Sequence, residues 1–133
     1  MHFYTALVLL SGAAFTSAAT IQARQNFACT AARVRILGAL NDADTAIEQI
    51  QDPATQASAA AALEQAQGGV QEIAQAILAG QTPPASGRSE VEAGLTALGQ
   101  SLSSANSADS AVLEAQEALD DAVAAGQDVV ARC

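Results

Sequence analysis

Residues 29–50 read CTAARVRILGALNDADTAIEQI, and the spacing within them decides the fold. Cys29, Ala32, Ile36, Leu40, Ala43, Ile47 and Ile50 follow one another at intervals of 3, 4, 4, 3, 4 and 3. At 3.6 residues per turn, all seven fall on one stripe along about six turns of helix. Asp52-Pro53 ends this helix and opens a second. Asp52 supplies a capping oxygen, and Pro53, lacking an N–H, fits the first helical position. The second helix carries Ala59, Leu63, Ala66, Val70, Ile73 and Ile77 at intervals of 4, 3, 4, 3 and 4, and Gly80 is a natural stop. Residues 81–88, with Thr82-Pro83-Pro84 and Gly87, form the middle connection. A third helix, starting as early as Pro83, carries Val91, Leu95, Leu98 and Leu102. The Ser-rich stretch 101–107 breaks the pattern. A fourth helix begins near Ser107 or Asp109 and carries Val112, Leu119, Val123 and Val130, with Ala115, Ala122 and Gly126 between them.

Four amphipathic helices with short connections predict an all-α, up-down-up-down four-helix bundle over residues 29–133. Ile36, Leu40, Ile47, Leu63, Val70, Ile77, Leu95, Leu98, Leu119 and Val123 hold the seam positions and are the expected core. Alanine fills many other seam positions, so the helices can approach closely, but each contact buries little. Gly68-Gly69 costs the second helix about 2 kcal/mol relative to two alanines. It marks a close helix crossing or a hinge.

The chain has 133 residues, enough for one domain. Half of them are hydrophobic but only 3% are aromatic, because 34 are alanine. That composition favours helix over strand. Five arginines, no lysine and 14 acids leave a net charge of -9. So few cations make no basic footprint, which excludes nucleic acid as a partner.

The first 19 residues, MHFYTALVLLSGAAFTSAA, read as a signal peptide. The apolar stretch from Ala6 to Phe15 is too short to span a bilayer. Ser17-Ala18-Ala19 has the small residues that signal peptidase requires, and cleavage after Ala18 fits nearly as well. The start lacks Lys and Arg, which points to a eukaryotic secreted protein; the competing reading is a buried N-terminal helix. Residues 20–28 form an N-terminal extension, or a short pro-segment ended by Arg24.

Removing the signal changes the chemistry available. The only His, Tyr and Met lie within it, as His2, Tyr4 and Met1. The remainder has no His, Lys, Tyr, Trp or Met, and one aromatic residue, Phe27. Most enzymes use a base poised near neutral pH, usually His or a tuned Lys. Triads, Ser-Lys pairs, Schiff bases and His-based zinc sites are therefore excluded. Carboxylate-only catalysis of the glycosidase kind survives formally, but there are no aromatic platforms to grip a sugar. The expectation is a protein with no catalytic residues, no cofactor and no metal.

Cys29 and Cys133 are the only cysteines, and in a secreted chain they are expected to pair. Up-down-up-down topology brings the start of the first helix and the end of the fourth to one end of the bundle. A redox or intermolecular role for the thiols is the alternative. Glu114, Glu117, Asp121 and Asp128 share one face of the fourth helix, as a solvated acidic face or a weak divalent-cation site. Asp42-x-Asp44 begins like a calcium loop but lacks its Gly and distal Glu, so it is read as surface. The stretches near Thr82 and Ser101 are loops or O-glycosylation sites. The C-terminus has no hydrophobic tail for a glycolipid anchor, and no stretch suits a membrane span.

The layout combines the signal, Asn26-Phe27-Ala28-Cys29, an Ala/Gln-rich helical stretch with Gln81-Thr82-Pro83-Pro84 midway, and terminal Cys133. It resembles small secreted fungal surface proteins of the conidial cell wall protein A type. That resemblance implies an extracellular, non-catalytic protein of the cell wall or spore surface. It would cover wall polysaccharide or a surface layer and blunt recognition by a host, a role in virulence. A second resemblance is to fungal hydrophobic-surface-binding proteins and cell-wall galactomannoproteins. It implies a secreted lipid or apolar-surface binder; a host-directed effector with a host factor as partner is a further alternative. A covering protein should have an alanine-tight core and an acidic exterior without apolar patches. A lipid binder should have a cavity or an exposed apolar strip. The narrow stripes of the sequence favour the first.

Overall fold

The structure, a computed structural model, describes residues 27–133. The expected signal, 1–19, and residues 20–26 of the expected extension lie outside them. The described residues form four helices: α1 (27–48), α2 (Pro53–Leu78), α3 (Ala85–Ser103) and α4 (Ser110–Arg132). No strand occurs among them.

Local chemistry sets the boundaries. The Asp52 carboxylate caps α2, accepting from the Thr55 amide at 3.0 Å and the Thr55 hydroxyl at 2.6 Å, with Pro53 next in line. Gly80 stops the helix by turning to φ 70°. α3 starts at Ala85, not Pro83, because a residue that precedes a proline is disfavoured in the helical region. Of the two expected starts for α4, the structure uses the one capped by Asp109, which accepts from Ala111 N at 3.0 Å.

Contacts between elements define an up-down-up-down bundle. Gln56 Nε2 donates to the Glu48 carbonyl at the α1–α2 corner, 2.8 Å. α2 and α3 run antiparallel: the Ser58 and Ser101 hydroxyls meet at 2.7 Å, and Ser86 donates to Glu72 at 2.6 Å. Gln116 Nε2 donates to the Leu102 carbonyl at 3.2 Å, joining α4 to α3. Asp109 also accepts from Gln51 N at 3.0 Å, tying the start of α4 to the α1–α2 corner. This is the capped end of the bundle. At the other end Cys29 and Cys133 pair, with their Cα atoms 5.0 Å apart.

The interior is alanine with a few large side chains. All seven residues of the α1 stripe are buried. Ile47, Leu63, Leu98, Leu102 and Val112 are the largest fully buried residues, and no polar or charged residue is buried among the described ones. α2 and α3 touch backbone to backbone. A Cβ added to Gly94 would collide with Ala66 N and lie 2.8 Å from Ala62 O. One added to Gly69 would lie 2.5 Å from Gly87 O. Gly69 is therefore a close crossing, whereas Gly68 faces outward toward Glu90.

Six of the ten expected core residues are buried: Ile36, Leu40, Ile47, Leu63, Leu95 and Leu98. Val70 and Leu119 pack against that core half-buried, and Ile77 is half-buried. Val123 does not belong to the core; it is 39% exposed, and Val130 lies out as well. The reason is the seam of α4. Ala111, Ala115, Ala118, Ala122 and Ala125 form the line turned inward. Short side chains let the α4 backbone approach its neighbours, which multiplies close atomic contacts. Val112 is buried beside that line near the start of α4, whereas Val123 and Val130 flank it on the exposed side farther along. Leu98→Ala and Leu40→Ala should each cost about 2–5 kcal/mol in urea unfolding. Val123→Ala should cost less than about 1 kcal/mol, because little of its area leaves water on folding.

Candidate functional site

The disulfide end is built from α1 and α4. Cys29 heads the buried stripe of α1 and is itself buried, while Cys133, the last residue, is exposed. Nearby, Arg35 donates to Asp128 at 2.7 Å, and Arg132 lies 3.7 Å from the same carboxylate. Both pairs are solvent-exposed and contribute little to stability.

Glu114, Glu117 and Asp121 are exposed on α4 as expected, and Asp128 is drawn to the arginines. Among the described residues no three His, Cys, Asp or Glu side chains converge where they could hold a metal ion. Asp42 and Asp44 are exposed positions within α1. Ser101 is half-buried and bonded to Ser58, while Thr82 is exposed. No described helix is long and apolar enough to cross a membrane.

The acidity of the Asp52 carboxyl is clearly moved. The Thr55 hydroxyl, then the Thr55 amide, hold it below the usual carboxylate range. A depressed folded pKa adds stability above the unfolded pKa and loses it as pH falls through the folded one. Stability should therefore decline in acid below roughly pH 4 partly through this cap, and Asp52→Asn should flatten that portion of the curve. Urea midpoints between neutral and acid pH check this.

Charge is distributed along the axis. The arginines of the described residues sit toward the disulfide end: Arg33 and Arg35 in the first half of α1, Arg88 in the first turn of α3, and Arg132 in the last turn of α4. Asp42, Asp44, Glu48, Asp52, Asp109, Glu114 and Glu117 gather toward the capped end. The described residues hold four arginines against 14 acids, a net of -10, and the capped end carries most of it.

The exterior is not uniformly acidic, which departs from the expectation for a pure covering protein. Phe27 is 78% exposed, Val34 62% and Leu37 52%, all on the outer side of α1. The periodicity that defines the buried stripe of α1 leaves this second line out. Its signal was present: Val34 and Leu37 fall off the stripe that begins at Cys29.

The fold and surface define a small helical bundle with a disulfide at one end and an acidic pole at the other. The chain matches no family model, no curated protein and no solved structure.

Proposed function

We propose that the protein is a secreted, non-catalytic component of a fungal cell surface, displayed on the spore wall, where it covers wall polysaccharide and masks it from host recognition. The observation that carries this reading is the contrast between interior and exterior. The described interior is alanine and aliphatic, and the acids lie outside it at the surface. Past the expected signal the chain has no His or Lys to serve as a base near neutral pH. A strong net charge keeps densely displayed copies soluble and discourages adhesion to anionic membranes. The resemblance of the layout to conidial cell wall proteins supports that location. One observation favours a second reading, a secreted binder of lipid or apolar surfaces: the exposed line of Phe27, Val34 and Leu37.

Deleting the gene tests the first reading. Wall polysaccharide on intact spores should become more accessible to a labelled lectin or antibody, and uptake by immune cells should rise. Unchanged exposure, with the protein found only in the medium, would transfer support to the binder or effector reading.

A further inference from the structure

We propose that Thr82 is an O-glycosylation site, its hydroxyl the acceptor of a sugar chain. The local sequence dictates the backbone there. The ring of Pro83 clashes with a helical residue before it, so Thr82 is held extended. Pro84 continues in the same region, at φ -69° and ψ 148°. Gln81 N donates to the Ala76 carbonyl at 2.8 Å, which fixes the chain just ahead of Thr82. Residues 81–84 are thus a short irregular segment between α2 and α3, in which Thr82 is exposed and the two prolines are half-buried. Among the described residues the Thr82 hydroxyl makes no hydrogen bond.

The other described hydroxyls are engaged or stand on the wrong backbone. Ser101, the alternative offered by the sequence, lies within α3, half-buried, and meets the Ser58 hydroxyl at 2.7 Å. Thr45, Thr55, Ser86, Ser89, Ser103 and Ser104 each donate to a carbonyl or carboxylate. Thr30, Thr96 and Ser110 lie on helical backbone. Ser107 is exposed but sits in a tight turn, where Asp109 N donates to the Asn106 carbonyl at 3.1 Å and Ala108 N to Asn106 Oδ1 at 3.0 Å. A transferase that threads its acceptor through a cleft needs extended chain. A segment already held extended by proline is bound with little further ordering. Thr82 alone combines that backbone with an exposed, unengaged hydroxyl among the described residues.

In the transfer, Thr82 Oγ1 attacks the anomeric carbon of a sugar carried on a phosphate leaving group. The new C–O bond forms as the bond from that carbon to the phosphate oxygen breaks. The phosphate departs with the electron pair, and the hydroxyl proton passes to a base of the transferase. No Asn of the chain is followed two residues later by Ser or Thr, so a sugar added by a transferase is held through a hydroxyl. The glycan would stand at the disulfide end, opposite the acidic pole, and add a bulky hydrated group there. The proposal rests on the reading of the chain as secreted, because such transferases act along the export route.

Expression of the full chain in a yeast tests the site, in two forms: the chain alone, and the chain with an established secretion leader placed ahead of Met1. Mass spectrometry of the exported protein should show added hexose on most molecules, localised to Thr82 by fragmentation. Thr82→Val should lose the hexose entirely, and Thr82→Ser should keep it. The hydroxyl holds nothing in the described fold, and unchanged melting by circular dichroism would show that both variants keep it. Leader-bearing protein exported without hexose would overturn the proposal. So would hexose that survives Thr82→Val, or that maps only to other hydroxyls. Export of the leader-bearing form alone would contradict the secreted reading, and the mass of that form would still decide for or against Thr82.

Discussion

Replacing Gly94 with alanine should destabilise the protein by about 2–4 kcal/mol, although alanine is the better helix former. The added methyl would collide with Ala66 N and crowd the Ala62 carbonyl, both of them backbone on α2. Backbone cannot rotate aside as a side chain can. α3 must therefore move away from α2 along the contact that Leu95 and Leu98 complete. Helix propensity returns only about 1 kcal/mol. Gly38→Ala is the control, because its methyl enters open space. It should raise stability by up to about 1 kcal/mol. One substitution type thus acquires opposite signs on two helices. Urea unfolding of both variants checks this; a gain at Gly94 would mean that α2 and α3 are not in backbone contact.

Loss of the Cys29–Cys133 pair should have a comparable or larger effect. The two residues are 104 apart in sequence, so the bond closes nearly the whole bundle into one loop. Loop-closure entropy alone puts its contribution near 4.7 kcal/mol. Domains of this kind have roughly 5–15 kcal/mol in all, so the reduced protein should be marginal. Packing near the bond is thin. Buried residues in α4 stop at Ala125, and Val130 is exposed. Reduction should therefore fray the last two turns of α4 first, as fast amide exchange there. Thiol titration of the unfolded, unreduced protein should find no free thiol. Two titratable thiols, or an unfolding midpoint unmoved by reduction, would contradict the role given to the bond.

Most of the fold was legible because intervals of 3 and 4 report one buried face directly. The α1 stripe, the Asp52-Pro53 start and the Gly80 stop all rest on such local rules. α4 shows the limit of that reading. There the large residues and the alanines form two adjacent lines, and size suggested Leu119 and Val123 for the interior. Which line turns inward depends on how closely the neighbouring helices approach, and that is a property of the whole bundle. The same applies to Gly69 and Gly94: glycine in a helix announces a cost, not the partner that requires it. At the surface, residue types told which chemistries were missing past residue 19. The outer line of α1 was written in the sequence too, but it gains meaning only once the buried stripe shows which side faces water.

The claim that this bundle covers a cell surface is tested most directly by finding where the protein resides. Spores should be fractionated into medium, wall and outer surface, and each fraction assayed with an antibody to the oxidised protein. The account predicts that most of the protein is in the wall and surface fractions and is reached by antibody on intact spores. Protein confined to the medium, with intact spores unlabelled, would contradict it.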